Sequence, residues 1–169
     1  MDKGRKVADC LWIASGWVMA AVLLRPFQDL PFLDDWTYAW SVEQLLKKGE
    51  LRVLDWSASP NFVQVLWGAL FCLPFGYSFS ALRASTAVLA VWGLCSFYLL
   101  LRELGLGRRE ALAGTATLGL NPVFFVLSWT FMTDVPFLAL MMAATLAMTS
   151  ALRRRSIGGL VAAEVFACL

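Results

Sequence analysis

The spacing of the apolar runs constrains this chain most: they extend for 18 to 22 residues and are separated by short charged punctuation. At about 1.5 Å per helical residue, such a run covers roughly the 30 Å of hydrocarbon in a bilayer. Composition agrees, with 60% hydrophobic residues, 15% charged residues and no histidine, and a mean hydropathy of +0.69. A water-soluble domain does not carry this pattern. The expected class is an all-α, polytopic transmembrane bundle whose first partner is the lipid bilayer. The net charge of +2 decides little, because the placement of Lys and Arg sets orientation and their sum does not. No basic stripe is interleaved with exposed aromatics, so nucleic acid is not an expected partner. Cys10, Cys72, Cys95 and Cys168 are scattered through apolar stretches without CxxC spacing and read as small buried hydrophobes.

In chain order, Val7 to Leu24 forms an uncleaved first span with Asp9 as its only charge, near its start. Lys3, Arg5 and Lys6 hold the N-terminus in the cytoplasm, and Asp9 is close enough on the helix to pair with Arg5 and Lys6. Asn61 to Gly76, at 16 residues, is short for a span. If it stays at the outer surface, or dips in and returns, then 80–101, 111–128 and 135–152 cross in turn. Arg102, Arg108, Arg109 and Arg153 to Arg155 then all face the cytoplasm. Asn121-Pro122 is expected to kink the span 111–128. Residues 157–169 give only part of a further span, which suggests a single N-terminal membrane module (1–169) of a longer protein, with little activity as an isolated piece.

The long polar segment, Pro31 to Gly49, predicts a helix lying along the outer membrane surface within a juxtamembrane stretch, 31–76. Trp36, Ala39, Trp40, Val42 and Leu46 form its apolar stripe. Glu43 precedes Lys47 by four, Lys47 and Lys48 suit the last turn, and Gly49 suits the C-terminal cap. Either Asp34 or Asp35 can cap this helix, and Asp134 can cap the one beginning Val135-Pro136. The topology carries Asp134 to the same face as Asp34 and Asp35 and puts Arg83 near that end of its span. Arg83 can snorkel there, and Trp36, Trp40, Trp56 and Trp129 suit an interfacial aromatic belt.

In order along the chain, these pieces resemble the GT-C glycosyltransferases, most closely their protein O-mannosyltransferase and aminoarabinose-transferase branch. The resemblance rests on the acidic pair with Trp36 and Tyr38, the stretch ending Leu73-Pro74-Phe75-Gly76, and Ala81-Leu82-Arg83 opening a helix that closes Leu101-Arg102-Glu103-Leu104-Gly105. Asn121-Pro122 and Thr133-Asp134-Val135-Pro136-Phe137 complete it. Relatives carry His-Pro-Pro or Lys-Pro-Pro where this chain has Ser59-Pro60-Asn61-Phe62, with Gln64 beyond. The resemblance implies transfer of a sugar from a polyprenyl-phosphate donor to a protein, lipid or glycan acceptor, with inversion, at the outer face of an inner (cytoplasmic) membrane. Asp35 is expected as the general base. Asp34 and Asp134 share the site, Asp134 orienting acceptor or sugar, or joining Asp35 on a divalent cation. Arg83, Tyr38 and Gln64 are expected to contact substrate, Arg83 through the lipid phosphate. The rival expectations are a polytopic transporter, a scaffold and an inactive remnant.

Overall fold

The computed structural model describes residues 2–54 and 62–169, and the described residues contain helices and no strands. The Trp56 expectation and the Ser59-Pro60-Asn61 departure lie outside them. In order come α1 (Asp2–Leu24), α2 (Asp35–Lys48), α3 (Phe62–Cys72), α4 (Phe79–Glu103), α5 (Arg108–Gly119), α6 (Pro122–Leu127), α7 (Asp134–Arg154) and α8 (Ile157–Cys168). Three of these are long and apolar enough to cross a membrane: α1 from Gly4, α4 and α7. The chain is thus a multi-pass helical membrane protein. At 11 residues, α3 rises only about 16 Å and cannot cross alone.

The helices begin and end where local chemistry dictates. The Ser78 hydroxyl accepts the Ala81 N–H at 3.1 Å and starts α4. Gly105 takes a left-handed φ of 100° just beyond α4, a conformation costly for residues with a Cβ. The segment expected to run through 111–128 as one kinked helix is instead two helices. The Asn121 carboxamide oxygen accepts the N–H groups of Val123 and Phe124, at 3.0 and 3.2 Å, and so caps a new helix. Pro122 at its first position has no N–H to give to α5, so the break is a stop and a restart.

Packing centres on α4. A Cβ at Gly93 would come within 2.9 Å of the Ala139 Cβ and 3.0 Å of its Cα, so α4 and α7 approach almost to backbone contact. α8 folds back on α7 in the same way, through Gly159 and Ala151. Two apolar cores result. The first joins Ala39 and Val42 of α2, Val65, Ala69 and Cys72 of α3, Leu82 of α4 and Phe131 of the 128–133 turn. The second joins Trp17 of α1, Ala90 and Leu94 of α4, Phe124 of α6, Trp129 and Val135.

Three sequence expectations are corrected by this packing. Trp129 does not sit in a surface belt: it is buried and stacks on Trp17, ring centroids 5.7 Å apart. Trp36 leaves the apolar stripe of α2 and is 42% exposed, because the face packed on α3 runs through Asp35, Ala39 and Val42. Asp9 is 1% exposed, and its principal partners are on other helices. Its carboxylate accepts from Arg108 Nε at 3.0 and 3.1 Å, from Arg108 Nη2 at 2.7 Å, and from the Tyr98 hydroxyl. Pairing and hydrogen bonds of this kind offset the cost of burying a carboxylate. Asp9 anchors one end of α1, a helix that is otherwise little covered by protein.

Candidate active site

The start of α2 is built around a single tight turn. Leu33 adopts a left-handed φ of 55°, which costs a residue with a side chain about 1–2 kcal/mol. The turn lets Asp35 reach back, its Oδ1 accepting the Phe32 N–H at 2.8 Å. Asp34 then occupies the cap position without making a side-chain cap, and Thr37 donates its hydroxyl to the Asp34 carbonyl at 2.8 Å. The adjacent carboxylates therefore diverge. Asp34 is exposed, whereas Asp35 is 0% exposed. Neither is the side-chain cap that spacing allowed. The other end of α2 is as the sequence predicts: Lys47 pairs with Glu43 at 2.6 Å, and Gly49, at φ 69°, caps onto the Leu45 carbonyl.

Arg83 explains why Asp35 can be buried. Its Nη1 donates to the carbonyls of Pro26 and Gln28 at 3.2 and 2.7 Å, and its Nη2 to that of Leu30. Nη2 also lies 3.5 Å from Asp35 Oδ2, with the Arg83 side chain only 6% exposed. Two further bonds knit the same loop to the start of α4: the Phe79 N–H to Asp29 Oδ1 at 2.7 Å, and the Ser80 hydroxyl to the Phe27 carbonyl at 3.2 Å. Snorkelling is overturned by this geometry, because the guanidinium points into protein. Its Nη groups are committed to loop 25–30 and Asp35. Asp35 Oδ2 and Arg83 Nε have no hydrogen-bond partner of their own.

Gln64 is buried and donates to the Phe131 carbonyl at 3.0 Å, so it ties α3 to the 128–133 turn. Phe131 is itself buried in the α2–α3–α4 core, and this brings the start of α7 to the loop face of the bundle. Asp134 is exposed there, in the first turn of α7 after Thr133 at the cap position, and no side-chain cap is made. Tyr38 packs half-buried on the first core. Among the described residues, no three His, Cys, Asp or Glu side chains gather as a metal-binding group. Asp35, one of the two carboxylates considered for a cation, is already held by Arg83. Beside this face, a groove of about 1100 Å³ runs between α3, α4, α7 and α8. Gln64 and Thr133 are among its polar lining residues, and Trp67, Trp92, Phe137 and Met141 are among its apolar ones.

Sequence reasoning missed Tyr77, which is half-buried between α3 and α4. Burial pushes its phenol up to about 12, and the negative charges of Glu43, Cys72, Asp29 and Asp35 add to the effect. Leu33 was missed as well. No sequence pattern marks a leucine for a left-handed turn.

The arrangement defines a class: a multi-pass helical membrane protein whose loop face presents exposed carboxylates, one of them beside a buried carboxylate–guanidinium pair. Residues 60–169 match the family described as dolichyl-phosphate-mannose-protein mannosyltransferase, and the chain belongs to that family. The family is one of membrane glycosyltransferases, and its description names a dolichyl-phosphate sugar as donor. No curated protein and no solved structure matches it. The matched region includes Gln64, Arg83 and Asp134, and lies downstream of Asp34 and Asp35.

Proposed function

We propose that the protein transfers a sugar from a polyprenyl phosphate to a hydroxyl or amine acceptor at its loop face, with Asp34 as general base and Asp35 as a positioning residue. The observation that carries this is the divergence of the acidic pair: Asp34 is exposed after a strained Leu33, while Asp35 is enclosed against Arg83. A base must reach its proton within a hydrogen bond, and of the pair it is Asp34 that is open to an acceptor. This moves the role expected for Asp35 to its neighbour. Strained backbone held in place by its surroundings is a mark of functional loops.

In the reaction, Asp34 takes the acceptor proton as the acceptor oxygen or nitrogen bonds to the anomeric carbon. The bond from that carbon to the lipid phosphate oxygen breaks on the opposite side, and the configuration inverts. The lipid phosphate departs as an already stable anion, so the protein's share is orientation and proton removal. Asp134 orients the sugar or the acceptor. Arg83 holds loop 25–34 in register through its carbonyl contacts. The groove between α3, α4, α7 and α8 suits the donor's isoprenoid tail, being apolar along most of its length. With the N-terminus in the cytoplasm, the loop face lies on the outer side of a bacterial inner membrane.

The test is sugar transfer from a labelled polyprenyl-phosphate sugar in membranes expressing the full-length gene product. Asp34→Asn is expected to lower kcat by about 10²–10⁴-fold with donor KM little changed. Asp35→Asn is expected to lose less and to lose stability along with it. Full transfer by Asp34→Asn at wild-type expression overturns the assignment.

A further inference from the structure

A second cavity, of about 680 Å³, lies between α1 and α4, and neither Asp34 nor Asp35 lines it. Its α1 wall is a helical stripe: Ala14, Trp17, Val18, Ala21, Val22 and Arg25. Ala84, Ala87, Val88 and Val91 of α4 face it, and Phe27 and Trp129 complete it. The two helices touch lower down, where the Cys95 thiol donates to the Cys10 carbonyl at 3.7 Å and Tyr98 meets Asp9. Above that contact, small residues on both walls leave a groove, and the buried Trp17 and Trp129 close part of it.

Two properties identify the occupant. From Ala14 to Arg25 the α1 wall rises about 16 Å, which is half of the roughly 30 Å hydrocarbon thickness. The groove is therefore one leaflet deep. Arg25 is the only charged residue lining it among the described residues, and it stands just past the end of α1, where a helix of spanning length meets the headgroups. The acidic residue nearest in sequence, Asp29, has an oxygen turned to the Phe79 N–H. An apolar slot one leaflet deep with a cation at its mouth complements a lipid whose phosphate is not neutralised by its own headgroup.

We infer that the α1–α4 groove seats an acyl chain of an anionic phospholipid, with the headgroup phosphate on Arg25. The assignment is independent of the reaction proposed above.

The test extracts the protein from vesicles holding equal phosphatidylglycerol and phosphatidylcholine with identical chains, plus a minor amount of polyprenyl phosphate. Retained lipids are then counted by native mass spectrometry. The wild type is expected to keep phosphatidylglycerol about fivefold over phosphatidylcholine, the ratio produced by about 1 kcal/mol of attraction between one arginine and a lipid of net negative charge. Arg25→Gln brings the ratio to about one. Ala87→Phe fills the groove and lowers retention of both lipids. Val22→Phe does the same from an exposed position and keeps the test sound should Ala87→Phe misfold. Arg155, like Arg25, has a left-handed φ (51° and 49°) just past a helix, but at the opposite end of the bundle after α7, and Arg155→Gln leaves the ratio unchanged. A wild type with no preference, an Arg25→Gln protein that keeps it, or an equal loss with Arg155→Gln overturns the inference. So does preferential retention of polyprenyl phosphate that Arg25→Gln abolishes.

Discussion

Replacing Arg83 by methionine tests the central contact of the loop face. The substitution keeps an unbranched apolar stem and removes every donor. Three carbonyls, of Pro26, Gln28 and Leu30, lose charge-assisted bonds. Gln28 and Leu30 are exposed, so water can recover much of that loss. Asp35 is different, because at 0% exposure its carboxylate stays in place with its counter-charge gone. Removing one partner of a buried ion pair costs about 3–5 kcal/mol, and with the carbonyls rehydrated the lower end, about 3 kcal/mol, applies. The double variant Arg83→Met/Asp35→Asn removes the stranded charge, and the asparagine oxygen can still accept the Phe32 N–H. It should recover about 1–2 kcal/mol relative to Arg83→Met alone. The assay is reversible unfolding in mixed micelles with increasing sodium dodecyl sulfate, followed by tryptophan fluorescence. Chymotrypsin cleavage after Phe27 reports the loop separately. A single variant within about 0.5 kcal/mol of wild type, or a double variant no more stable than the single, refutes the reasoning.

Gly93→Ala places a methyl 2.9 Å from the Ala139 Cβ and 3.0 Å from its Cα, where backbone must move. It should cost about 1–3 kcal/mol in the same unfolding assay. Gly16→Ala meets nothing within 4 Å and should be neutral or slightly stabilising. Asp9→Leu removes the anchor to Arg108 and Tyr98, so cross-linking of Cys10 to Cys95 by a short bifunctional thiol reagent should fall well below wild type. Both proteins in that comparison carry serine at Cys72 and Cys168. Tyr77, with its phenol pushed up from 10.0 to about 12, keeps its proton in the folded state where the unfolded chain has lost it. Its contribution is complete below about pH 10 and is lost as pH rises through 12. Since Tyr77 is only half-buried, the solvent-screened effect is about 1 kcal/mol, read as the pH dependence of the stability difference between wild type and Tyr77→Phe.

The helical class and its long apolar helices were legible because hydrocarbon allows few patterns, and helices α1, α4 and α7 declare themselves by length and composition alone. Helix α2 was legible for a different reason: Glu43, Lys47 and Gly49 each carry a local chemical signal for their place in a helix. Positions that depend on tertiary partners were not. Asp34 and Asp35 are the same residue type, and only the fold, through Arg83, encloses one of them. Asp9 has basic neighbours in sequence, yet Arg108, 99 residues away, binds it. Trp129 resembles an interfacial residue until Trp17 is seen stacked on it. Asn121-Pro122 announced an irregularity, but whether it bends or stops a helix depends on where the Asn121 side chain turns.

The bonds that fix the loop ahead of α2 reach far along the chain. Arg83 is made 53 to 57 residues after the carbonyls it binds. A ribosome adding about 5–20 residues each second therefore delivers the acidic pair several seconds before the arginine that sets its shape. The first helix can be in the bilayer, with the loop trailing, while neither is yet in its final place. The enclosed Asp35 and the presented Asp34 become different only when α4 arrives. The order of synthesis thus keeps the nascent loop chemically unformed until the bundle around it has been built.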